Sequence, residues 1–133
     1  MKRKSKVVLV CGDRKWTNWA AILTRLSKLP PGSTIVEGDA KGADRIAGHI
    51  AKALGFKLRV FPAKWGLYGK AAGPIRNWEQ FEKTRPHLVI AFHNNLHKSR
   101  GGTRDIVALA YNRRCRVELI EDFENGIYGI TDW

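Results

Sequence analysis

Five short apolar runs punctuate this chain: Val7-Val8-Leu9-Val10, Thr34-Ile35-Val36, Leu58-Arg59-Val60-Phe61, Leu88-Val89-Ile90-Ala91-Phe92 and Arg116-Val117-Glu118-Leu119-Ile120. Near-continuous runs of this length suit strands whose sheet is covered on both faces. The intervals between them carry helical patterns. Trp19, Ile22, Leu23, Leu26 and Leu29 recur at helical spacing until Pro30-Pro31-Gly32 stops them. Ala43, Ile46, Ala47, Ile50, Ala51 and Leu54 then follow i, i+3, i+4, i+7, i+8, i+11, and Gly55 closes that helix. Residues 62–72 lack a period and read as a loop, after which Gly73-Pro74 opens a helix to about Lys83. A polar loop over 93–101 precedes a last helix, from Gly102 or Thr103 to about Arg113. Strands alternating with helices predict parallel βαβ units with right-handed crossovers. The expected fold is one doubly wound α/β domain of five mainly parallel strands with helices on both faces.

The chain of 133 residues is long enough for one such core. The expected division is a basic arm over 1–5, the domain over 6–120 and an acidic tail over 121–133. No apolar run approaches the ~20 residues of a membrane span. The run after the basic start ends at Val10, too short for a secretory signal. A cytoplasmic protein without a membrane partner is expected. Cys11, closing the first strand, and Cys115, opening the last, read as buried reduced thiols. The start of a helix beside Cys11 would favour a thiolate, but no His lies near it in sequence to act as its base.

Charge is distributed unevenly. The net value is +12, but all 24 Lys and Arg lie at or before Arg116 with only seven acids, a balance of +17 over residues 1–117. Such a field attracts polyanions, either nucleic acid or phosphate-rich ligands.

Four glycine-bearing turns are expected at the carboxyl ends of the strands, where open α/β sheets bind ligands. They are Cys11-Gly12-Asp13-Arg14, Glu37-Gly38-Asp39-Ala40-Lys41-Gly42-Ala43-Asp44, Gly69 through Asn77, and Ser99 through Asp105. Helix-start amides beside cations make phosphate sites. Gly12 allows close approach of the backbone, Arg14 offers a fork for an anion, and Trp16 either stacks on a base or belongs to the core. Lys41 stands between Gly38 and Gly42 at a helix start. Asp44 either accepts from a ribose hydroxyl or complements the helix dipole. Arg76 and Asn77 fall in the first turn of the third predicted helix. Gly101-Gly102-Thr103 is the best phosphate cradle on the chain, with Thr103 also able to cap its helix.

Other chemistries lack their residues. Ala71 stands where a P-loop needs Ser or Thr after Gly69-Lys70, and G-x-G-x-x-G is absent. His93 and His97 are four apart in a polar loop without the Glu of H-E-x-x-H, and His49 and His87 read as structural. No Ser-His-Asp order or nucleophile elbow occurs. The expectation is no metal and no required cofactor beyond a nucleotide-derived ligand.

The blocks Val10 through Trp16, Val36 through Asp44, Phe61 through Trp65, Gly69 through Asn77 and Gly101-Gly102-Thr103 together resemble the YspA-type branch of the SLOG superfamily over about residues 6–120. The resemblance implies a Rossmann-like fold and a pocket for a nucleotide or nucleotide-derived ligand. Relatives within that superfamily include the Lonely Guy phosphoribohydrolases, molybdenum cofactor carriers and DNA-processing protein A, a single-strand DNA binder. Phosphoribohydrolases carry Gly-Gly-x-Gly-Thr-x-x-Glu; here Ile106 holds the Glu position, and Asp105 is one residue, about 100° of helix, away. The resemblance implies Arg76 as the counterpart of their arginine.

The expected ligand site thus comprises Gly12, Arg14, Trp16, Gly38, Lys41, Gly42, Trp65, Lys70, Arg76, Asn77, Gly101, Gly102 and Thr103. Lys70 and Arg76 would neutralise phosphate, and Trp16 or Trp65 would meet the base. The leading reading is a nucleotide-binding sensor, processor or sequestering protein. N-glycosidic hydrolysis, with Asp44 and then Asp105 as acid/base, is one rival; single-stranded nucleic-acid binding is another. A homo-oligomer stays open.

Overall fold

Residues 3–122 and 128–132 are described by the computed structural model, the latter stretch as backbone. Its centre is β1 (Val7–Gly12), whose apolar residues alternate between two cores. Val8 and Val10 face a layer formed by α1 (Trp19–Leu26) and α2 (Ala43–Ala53), while Leu9 and Cys11 face the opposite layer. That second layer is α4 (Ala72–Thr84) and α5 (Gly102–Asn112), which contribute Phe81, Ile106, Val107 and Ala110.

The remaining strands are β2 (Thr34–Glu37), β3 (Lys57–Val60), β4 (Leu88–Phe92), β5 (Arg116–Asp122) and β6 (Tyr128–Asp132), in sheet order β3-β2-β1-β4-β5-β6. Both faces of the sheet are therefore buried at β1, β2 and β4, as their apolar runs require. The edge strand β3 is largely exposed, with Val60 42% exposed. β1 to β5 are parallel. Val7 pairs with Thr34 on one side of β1, and Val8 with Leu88 and Gly12 with Phe92 on the other. The expected parallel strands are all present, in a Rossmann-like doubly wound arrangement.

Two features exceed the expectation. β6 runs antiparallel to β5, with Glu118 opposite Asp132, so the region expected as an acidic tail extends the sheet to six strands and Cys115 does not open the last one. A neighbour joined by a short connection can only pair antiparallel, because a parallel partner needs a crossover of a dozen or more residues. Residues 62–72 hold a one-turn helix, α3 (Trp65–Tyr68), and a 3₁₀ turn over Gly69–Ala71 rather than an open loop. No helix among the described residues is long and apolar enough to cross a membrane.

Candidate functional site

Strand order reverses between β1 and β4: β1 leads into α1 on one face, and β4 leads towards α5 on the other. The connections diverge and leave a crevice at the carboxyl ends, the usual ligand position in such sheets. A cleft of about 300 Å³ opens there, lined by turns after β1, β2 and β4 and by the first turns of α4. Its floor is the end of β1. A side chain at Gly12 would strike the Phe92 carbonyl and come within 2.6 Å of Ala43 Cβ, so only glycine lets α2 start against the strand. Asp13 locks the same turn: its N–H donates to Phe92 O at 2.9 Å and its carbonyl accepts from Ala43 N at 3.2 Å.

Asp44 and Arg76 set the electrostatics. Asp44 lies in the first turn of α2, is 6% exposed, and accepts from the N–H of Gly38 (3.1 Å) and Ala40 (3.3 Å). Burial pushes its carboxyl up to about 6, against the pull of those amides and of Arg76. Arg76 comes from α4. Its Nε donates to Asn77 Oδ1 at 2.8 Å and its Nη1 to the Gly38 carbonyl. A Cβ on Gly38 would sit 2.9 Å from the guanidinium carbon, so this glycine lets the arginine lie across the end of β2. Burial lowers the Arg76 pKa from its ordinary value, with Asp44 opposing and Arg14 adding to the shift. Burial likewise raises the Cys11 thiol well above its usual range, with the charge of Asp44 adding, which disfavours a nucleophilic thiolate. Both cysteines are free.

The opposite wall is the start of α5. Gly101 N–H donates to Ser99 Oγ at 3.1 Å, but no side chain caps the helix. Among the described residues the N–H groups of Gly102, Thr103 and Arg104 have no acceptor, the orphan donors every helix start leaves. Asn77 joins the walls: its Nδ2 donates to Asp105 Oδ2 at 2.8 Å and, at 3.5 Å, to Gly102 O. The Arg14 guanidinium lines the cleft, is exposed, and makes no hydrogen bond or ion pair among the described residues, while its charge acts on Asp44 and Arg76. The cleft thus offers unpaired amides and an exposed guanidinium around the buried Asp44 carboxyl and the half-buried Arg76.

Of the residues expected from sequence, Gly12, Arg14, Asp44, Arg76, Asn77, Gly101, Gly102 and Thr103 line this one cleft. The others lie elsewhere. Trp16 is 5% exposed, tilted against Phe92 with centroids 5.5 Å apart, and its indole N–H donates to Asn18 O. It is a core residue. Gly38 lies beneath Arg76, and Gly42 (φ +79°) packs a position where a Cβ would strike the Asp13 and Arg14 carbonyls. Asp105 holds Asn77 rather than lining the cleft. Trp65 is half exposed and rests on Gly73, while Lys41 and Lys70 project into solvent. Sequence reasoning did not single out Asp13, Lys15 or Ser99 and weighed His93 only as a metal ligand; all four also line the cleft. His93 directly follows β4, so its position at a carboxyl strand end was the available signal. Its Nδ1 accepts from Asn95 N–H. Among the described residues no three His, Cys, Asp or Glu gather to hold a metal.

A family model described as the YspA, cpYpsA-related SLOG family matches residues 6–68, which carry β1 through α3. The chain is 38% identical over 81 residues to the Gene 61 protein of Mycobacterium phage D29, a match covering 54% of this chain and 65% of that relative. Among solved structures, DNA processing protein A (DprA) from Streptococcus pneumoniae shares the fold, with a TM-score of 0.63 and 19% identity. That similarity covers 86% of this chain and 50% of DprA. Over residues 6–68 the chain is thus similar to the YspA, cpYpsA-related SLOG family, and it spans about two thirds or less of the length of these relatives.

Proposed function

We propose that the cleft binds the phosphate-bearing part of a nucleotide or nucleotide-derived molecule. One observation carries this reading: the unpaired amides of Gly102 and Thr103 at the start of α5 share a cleft with the exposed Arg14 guanidinium. The amides of Gly102 and Thr103 and the fork of Arg14 hold the phosphate oxygens. Arg76 supplies further positive charge, and Asp44 accepts from a ribose hydroxyl. Gly12 keeps the floor low enough for the ligand to reach the strand end. A volume of about 300 Å³ is at the small end for ligand sites and suits a mononucleotide unit. Calorimetric titration with AMP tests this. Arg14→Ala should weaken binding by roughly tenfold or more, the scale of a lost charge-assisted contact; equal affinity in both proteins contradicts the assignment.

Two extensions have support of their own. The balance of +17 over residues 1–117 and the fold shared with DprA favour a strand of nucleic acid as a ligand. A carboxyl with a pKa of about 6 beside the site favours proton transfer by Asp44 in N-glycosidic cleavage. Release of free base from AMP, abolished in Asp44→Asn, would mark the cleft as hydrolytic; its absence in the wild type leaves a binding site.

A further inference from the structure

Every long helix that leads into a parallel strand does so through a residue with positive φ. Gly32 (φ +81°) follows α1 and Gly55 (φ +79°) follows α2, as expected where an L side chain is strained. After α4 and α5 the same conformation is occupied by Arg85 (φ +47°) and Arg114 (φ +55°). Arginine thus stands where glycine is favoured, at the two turns that flank the starts of β4 and β5. Around them three grooves, of about 630, 430 and 130 Å³, meet at His87, Arg114, Cys115 and Arg116.

Those grooves are lined by eight Lys or Arg and two acids among the described residues. Both acids are already engaged: Glu118 accepts twice from Arg25 (2.7 and 3.0 Å) and Glu82 accepts from Arg113 (2.7 Å). Lys6, Lys28, Arg85 and Arg114 have no acidic partner among the described residues. Tyr111, 76% exposed, lines the largest groove beside Arg114.

We infer that this amino-terminal edge of the sheet is a second phosphate-binding face, which takes the backbone of single-stranded nucleic acid. It is separate from the cleft by the length of β1, six residues and roughly 20 Å. It shares with the proposed function a phosphate-bearing ligand, and with its first extension a nucleic-acid strand, but it does not depend on the cleft being occupied. Confluent grooves with an exposed aromatic ring suit a flexible strand, whose phosphates follow the cations while an unpaired base stacks on the tyrosine. A flat anionic membrane would need neither the grooves nor the ring.

The test is fluorescence anisotropy of a labelled 20-nucleotide oligothymidylate, titrated with the full chain at several salt concentrations. The decisive variant is Arg85→Gly/Arg114→Gly, which removes two charges and relaxes two strained turns, so it should fold at least as well as the wild type. Its affinity should fall tenfold or more, and the slope of log K against log salt should flatten by about 1.4, two contacts at roughly 0.7 each. Tyr111→Ala should weaken binding without changing the slope. Excess AMP should leave the oligomer bound, and the double variant should bind AMP like the wild type. Wild-type oligomer affinity and slope in the double variant overturn the inference, as does displacement of the oligomer by AMP. Tighter binding to phosphatidylserine vesicles than to the oligomer, or no oligomer binding by the wild type, overturns it too.

Discussion

Gly12 illustrates how a single residue shapes the site. The Phe92 carbonyl and the Ala43 methyl occupy the space a side chain would need, and both belong to elements that cannot retreat from the core. Gly12→Ala should therefore cost about 1–3 kcal/mol, the range for overpacking, read as a lower urea midpoint at unchanged m-value. At this scale the sequence was informative where a residue type has few uses: Gly12 and Arg76 reach the cleft as their turn and helix-start positions suggest, while Gly42, read as a ligand contact, serves only its turn. Trp16 was not. A tryptophan four residues beyond a glycine turn has equal reason to meet a ligand or to fill a core, and only the tilt against Phe92 assigns it to the core.

Among the elements, α1 and α5 begin in opposite ways. α1 is capped: Asn18 Oδ1 accepts from Ala21 N–H at 3.0 Å, while its Nδ2 donates to Asp122 Oδ2 at 3.1 Å. The cap thus also ties the helix to the end of β5. Asn18→Ala should lose about 1–2 kcal/mol by thermal or urea unfolding, because a cap and a tertiary bond go together; no change would show that solvent replaces both. α5 starts on glycines and leaves its amides open, which suits a ligand and gives up the stability of a cap. The periodicity over residues 43–54 made α2 readable to within a residue or two, and the glycines that end the polar loop placed α5 as closely. Periodicity failed at α3, since a single turn between β3 and α4 is shorter than one helical repeat can reveal. It failed at β6 as well, whose pairing depends on an exposed edge of β5 that no local pattern records.

Over the whole molecule, two carboxyls with raised pKa values couple folding to pH. Burial pushes Glu37 up to about 7, the charge of Asp44 adds to this, and Asp44 itself is raised to about 6. Their ordinary values of 4.5 and 3.8 hold in the unfolded chain. Between about pH 4 and 7 the folded protein binds more protons than the unfolded one, so these groups make stability fall as pH rises. The contribution is of order 1–3 kcal/mol per group. Glu37→Gln should therefore gain stability relative to the wild type as pH rises from 5 to 8, seen in the difference between their melting temperatures. Parallel melting profiles would contradict the shift.

Strand and helix order, the two-faced burial and the carboxyl-edge position of the glycine turns followed from the sequence alone, because apolar periodicity and turn chemistry are local properties of the chain. Closure of four turns around one cleft came only with the tertiary structure, as did the placing of Lys41, Lys70 and Trp65 outside it and the gathering of Arg85 and Arg114 at the far edge. Which side chains share a space depends on helix packing angles and strand register across the sheet. Those are set by the whole core at once and are written in no single segment.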